Sequence, residues 1–155
     1  MSEDWANKIA DIKEETEKEV LIIRSTEDEL RKKYAPQQKE ILDMIETLLT
    51  PIVEKFKDPK LSSNNQPKVE RKNDFVISLI MPIIHENRHE SSGISFCLKF
   101  TDKGYSLEVN NGNTTSHILA PIEIGRVQQK VLEYLENRKN AILSKEKKSI
   151  TSRRD

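Results

Sequence analysis

"ISFCLKFTDKGYSLEVNNGNTTSHIL", Ile94 to Leu119, is the stretch on which the fold turns. Ile94, Phe96, Leu98 and Phe100 alternate with Ser95, Cys97 and Lys99, the period-two pattern of a strand with one face buried. "TDKG" then reads as a turn, and Tyr105, Leu107 and Val109 resume the alternation. "NNGN" at Asn110–Asn113 is a strong hairpin signal, because Asn and Gly tolerate positive φ. Thr114 to Leu119 follows as another strand. Strands joined by such short turns must run antiparallel.

Working upstream, Phe75 to Ile84 is apolar on both faces and reads as a buried strand. Residues Asp58 to Asn73 are polar with two prolines, as in a flexible linker. Before them, Pro36 to about Thr50 carries a wide helical stripe: Ile41, Met44, Ile45, Leu48 and Leu49, continued by Ile52, Val53 and Phe56. Thr50-Pro51 fits a cap and first-turn proline, so a kink is expected there. Ser2 to about Tyr34 lacks Pro and Gly and consists of strong helix formers. Its apolar seam is thin: Trp5, Ile9, Ile12, Ile23 and Leu30 share a 3-4 spacing with Thr16, Glu19, Thr26 and Lys33. Pro36 should break or kink the pattern, with a second helix following it.

Downstream, Pro121 can open a last helix with Ile124, Val127, Val131, Leu132, Leu135 and Ile142 on its apolar side. "SKEKKSITSRRD" is basic and polar and is expected to be disordered. The expected fold is α+β: a long N-terminal arm of two helices, a four-stranded antiparallel meander, and a C-terminal helix packed on the sheet. The corresponding segments are a helical arm at 1–57, able to form a weak coiled coil, a linker at 58–73, an α+β domain at 74–145 and a basic tail at 146–155.

Composition narrows the function. Of 155 residues 34% are charged and 5% aromatic, so the core must be aliphatic. Net charge is zero, which excludes action through one large uniform field. The charge is nevertheless uneven. Met1–Asp58 holds 10 basic against 15 acidic residues, net −5, and Pro121–Asp155 holds 9 against 5, net +4. An acidic front and a basic back can attract within one chain or between two. A single cysteine, Cys97, excludes an intrachain disulfide and fits a reducing compartment. The acidic amino terminus does not read as a secretory signal, and the longest apolar run is about half a membrane span. A cytoplasmic protein without a membrane segment is expected.

One motif raises the question of catalysis. His85, Glu86 and His89 spell H-E-x-x-H, the zinc peptidase pattern. On a helix that spacing directs both imidazoles at one zinc, with the glutamate as general base. Here Pro82 precedes it, Ser91-Ser92-Gly93 follows, and strand signals flank it on both sides, leaving room for a hairpin connection but not for the motif helix. Ser92 and Ser95 stand where an extended motif requires Gly and His. His85, Glu86 and His89 are weak metal candidates, and no cofactor is expected. Cys97 has no catalytic signature, and the chain has no phosphate-binding glycine loop.

The expected function is a non-enzymatic interaction or adaptor module, chaperone-like in one version. It would form a homodimer, or dock an unidentified protein partner, through Trp5, Ile9, Ile12, Ile23 and Leu30. An electrostatic nucleic-acid binder using the last helix and basic tail is the alternative. A metal-dependent hydrolase using the His85 motif comes third.

Overall fold

In the computed structural model the described residues are 2–101 and 103–154. They form an α+β fold with two helices, a five-stranded antiparallel sheet and a separate two-stranded ribbon. Helix α1 spans Ser2–Phe56 and α2 spans Ile124–Arg154. The sheet contains β1 (Lys68–Asn73), β2 (Val76–Ile80), β5 (Gly93–Thr101), β6 (Gly104–Asn110) and β7 (Thr115–Leu119), neighbours in that order. The ribbon, β3 (Ile83–His85) and β4 (Arg88–Glu90), is inserted between β2 and β5. No described helix is long and apolar enough to cross a membrane.

The alternation read in Ile94–Leu119 sets the core. Phe96 pairs with Val109, Leu98 with Leu107, and Leu107 with Ile118, so the centre of one sheet face is apolar. Ile77 and Leu79 of β2 extend it, facing Phe96 and Ile94. Two helix segments cover this face: Ile41, Leu42, Ile45 and Leu49 of α1, and Val127, Val131 and Tyr134 of α2. Their side chains and the strand residues make one buried cluster. The opposite face is polar, with Ser78, Ser95, Asn110 and Thr115 in one cross-strand row.

Four strands become five, and the reason is β1. "KVERKN" lies within the segment read as a linker; only Val69 is half-buried in it, so it lacks a buried alternation. It is an edge strand, and charge on an edge discourages pairing with other chains. Arg71 holds it to α1, with Nη2 at 2.7 Å from Asp43 and 2.5 Å from Glu46. The hydrogen bond to Asp43 and these two carboxylates raise the guanidinium pKa further.

The expected arm of two helices is a single helix. Pro36 and Pro51 both lie inside α1. Each removes one backbone donor, but the turns around them are held by packing on the sheet and by aromatic contacts at Tyr34. Thr50 does not cap a new helix; its hydroxyl donates to the Glu46 carbonyl at 2.8 Å. The chain leaves α1 at Phe56 and is stapled by Gln66, which accepts from the Asp58 N–H and donates to the Leu61 and Asp58 carbonyls.

Phe75–Ile84, read as one strand, is interrupted at Met81-Pro82, and the chain turns out into the β3–β4 ribbon. The segment from 146, expected to be disordered, continues α2 to Arg154. Part of the cause is that Lys145, Glu146 and Ser149 hold onto the ribbon. Asp102, in the expected "TDKG" turn, and Asp155 lie outside the described residues.

The loop after β6 has the geometry expected of "NNGN". Gly112 has φ +99°, its N–H donates to Asn110 Oδ1, and Asn111 Oδ1 accepts from both the N–H and the hydroxyl of Thr114. Gly112→Val should therefore destabilise the fold by about 1 kcal/mol or more, and Asn111→Asp, which keeps the acceptor, should be mild. Gly93→Ala should also destabilise it, since a Cβ there would stand 2.7 Å from the Leu79 carbonyl oxygen. Urea titration of the three variants checks the ranking, and equal, negligible effects would contradict it.

Candidate interaction surface and the His-Glu hairpin

Every residue from Glu3 to Glu29 is exposed, so the first half of α1 projects from the body as a free-standing helix. At about 1.5 Å per residue it is about 40 Å long. Trp5 (68% exposed), Ile9, Ile12 (64%) and Ile23 lie along one side of it. Thr16 and Thr26 share that side, and their hydroxyls donate back to the Ile12 and Ile22 carbonyls at 2.7 and 2.9 Å. The polar atom of each threonine is thereby used inside the helix, which makes the seam more apolar than its letters suggest. Leu30, expected on the same seam, is half-buried at the base of the arm.

"VLII" at Val20–Ile23 adds something the seam did not reveal. With about 100° between successive residues, four consecutive apolar side chains encircle the helix. All four are exposed. One neighbouring helix covers an arc of roughly a third of that circumference, so a partner helix on any side of the arm meets part of the collar. Sequence reading passed over Leu21 and Ile22 because they fall off the 3-4 seam; the unbroken apolar run was the available signal.

The arm is stiffened locally by ion pairs such as Glu14–Lys18 at 3.3 Å, and anchored where it meets the sheet. Tyr34 stacks on Phe100 with ring centres 5.6 Å apart and meets Tyr105 edge-on at 5.3 Å. The Arg31 guanidinium lies 4.6 Å from the Phe75 ring centre.

The H-E-x-x-H residues stand on the β3–β4 ribbon. Glu86 and Asn87, with φ of 50° and 65°, are the two positive-φ residues of its tight turn. His85 pairs across the ribbon with Arg88, and His89 pairs with Ile84, so the two imidazoles face opposite sides. His85 turns towards α2, with Nδ1 3.2 Å from a Glu146 oxygen and Nε2 2.8 Å from the Ser149 hydroxyl, which itself donates to Glu86 at 2.8 Å. Both ring nitrogens are thus engaged by protein groups. His89 is exposed and lines a groove of about 900 Å³ with Asn111, Asn113, Tyr134 and Arg138. Arg138 is committed to structure, donating to the Met81 and Pro82 carbonyls. Among the described residues no three His, Cys, Asp or Glu side chains gather as a metal site. Two of the three motif residues, His85 and Glu86, clamp the ribbon to α2, with Lys145–Glu90 at 2.6 Å beside them.

Cys97 lies on the polar sheet face, opposite Val76 and Glu108. Partial burial pushes its thiol pKa up, Glu108 adds to this, and Lys99 opposes it. A raised pKa means less thiolate at neutral pH, the opposite of an activated nucleophile. His117 sits one strand further away, 3.5 Å from Glu108.

No family model, no curated protein and no solved structure matches this chain.

Two outcomes follow from this geometry. His85→Ala should lower the unfolding free energy by about 1 kcal/mol through lost hydrogen bonds, and a chelator should leave the melting temperature of the intact protein unchanged. Elemental analysis finding about one zinc per chain, lost in the variant, would contradict this. Alkylation of Cys97 at pH 7.5 should be slower than that of a free thiol and accelerate at higher pH. A rate equal to or above that of glutathione would show an activated thiolate instead.

Proposed function

We propose that this protein is a non-enzymatic interaction module that self-associates as a homodimer through the projecting half of α1. The observation that carries the reading is the exposure of Trp5, Ile9, Ile12 and Ile23, with Val20–Ile22, on a helical segment whose residues 3–29 are all exposed. Each such side chain contributes about 1.5–3 kcal/mol once covered. Contiguous exposed apolar surface of this kind marks association sites in proteins generally. The body supplies an anchored base for the arm, through Tyr34 on Phe100 and Tyr105.

Electrostatic nucleic-acid binding is the second reading, and α2 favours it with nine basic against three acidic residues. It ranks second because of the arm. Residues 3–29 carry ten acidic against four basic residues, which repel phosphate, and such binding leaves Trp5 to Ile23 uncovered.

Sedimentation should show a concentration-dependent dimer. Changing Ile9, Ile12 and Ile23 together to Ser should shift it to monomer while the body keeps a cooperative melt. Deleting residues 1–29, which stops short of Leu30, Arg31 and Tyr34, should do the same. A strictly monomeric intact protein at high concentration would refute the proposal. If the truncated chain cannot fold, the arm belongs to the body after all.

A further inference from the structure

The two oppositely charged helix ends leave the body at opposite ends of the sheet. The arm departs beside the β5–β6 turn, where Tyr34 packs on Phe100 and Tyr105. The last turns of α2 depart at the other end of β5, where the ribbon follows Ile80 and Ser149 and Lys145 reach His85 and Glu90. Gly93 to Thr101, nine residues, separates the two ends by about 27 Å of strand. The arm then runs further away, so the two cannot meet within one chain.

Their surfaces match. The arm is net −6 over residues 3–29, from ten acidic and four basic residues. Helix α2 is net +6, from nine basic and three acidic. On α2 the side facing the body carries Val127, Val131 and Tyr134, then Arg138, Lys145 and Ser149. The opposite side carries Leu132 (62% exposed), Leu143 and Ile150 at spacings of 11 and 7, close to one straight line on a 3.6-residue helix. Lys139 and Lys147 flank that line, and Glu136, 3.6 Å from Lys139, lies on the same side. It is therefore an apolar stripe with a mainly basic border. The arm seam is an apolar stripe interrupted at Glu19 and bordered by Glu15.

We infer that the arm of one protomer docks, antiparallel, along the outer stripe of α2 in a second copy. Turning the second copy end for end brings each arm beside the other's α2, so two identical contacts close the dimer. A second arm is the poorer occupant, since two helices each at net −6 repel. This assignment rests on the self-association proposed above and adds to it which surface the arm meets.

Charge reversal with sedimentation and carboxyl–amine crosslinking tests it. Glu15→Lys with Glu19→Lys should weaken association by about tenfold or more, and so should Lys139→Glu with Lys147→Glu. These are exposed positions, and retained cooperative melting confirms folding. Mixing the two variants should restore the dimer, because the reversed arm then faces the reversed α2 in one contact and the unchanged arm faces the unchanged α2 in the other. Crosslinks between chains should join arm carboxylates to α2 lysines. A dimer indifferent to the α2 reversal, with crosslinks elsewhere, overturns the arm-on-α2 contact and leaves self-association standing. A monomer at every concentration overturns both, and salt-sensitive binding of mixed-sequence RNA by that monomer, lost with Lys139→Glu and Lys147→Glu, assigns the stripe to nucleic acid.

Discussion

One apolar sheet face, no longer than a nine-residue strand, has to be covered, and everything else follows from how little helix that requires. Such a strand is about 30 Å long, whereas α1 at 55 residues is about 80 Å and α2 at 31 residues about 46 Å. Ile41 to Leu49 and Val127 to Tyr134 suffice to bury Phe96, Leu107 and their neighbours. The remaining helix has nothing of its own chain to pack on over most of its length. The overhang is a geometric necessity of the element lengths, and the sequence meets it differently at the two ends.

At the arm end the overhang is long and unsupported beyond Tyr34. Helix propensity and i,i+4 pairs support a helix there, but neither favours exposed isoleucine and tryptophan over lysine. Those side chains are the ones on which the proposed self-association rests. At the other end the overhang is partly held by the β3–β4 ribbon, where His85, Glu86 and Glu90 engage Glu146, Ser149 and Lys145. The H-E-x-x-H letters thus describe a clamp. A tight turn of two positive-φ residues separates the histidines to opposite faces, which a helix at the same spacing would not do.

The polar sheet face adds a second contrast. Its cross-strand row of Val76, Cys97, Glu108 and His117 contains the residue types of a thiol site. Glu108 lies between the thiol and the imidazole, and burial raises the thiol pKa. Composition of a row does not make a site when the order places the base one strand too far.

Much of the body was legible in the letters. Ile94, Phe96 and Leu98, then Leu107 and Val109, alternate so cleanly that strand, face and hairpin follow from the period alone, and Gly112 marks its own turn. The wide stripe from Ile41 likewise announced a helix that packs. Edge strand β1 was illegible because an edge is stabilised by backbone pairing to β2 and by Arg71 reaching α1, neither of which leaves an alternating pattern. Pro36 was read as the boundary of two helices because the penalty of a lost helical hydrogen bond is local, while the packing that outweighs it is tertiary. The thinness of the first seam was in the sequence from the outset. Only the three-dimensional arrangement determined that acidic arm and basic α2 leave from opposite ends of one short sheet, a separation that depends on where long helices cross a small core and that no local period encodes.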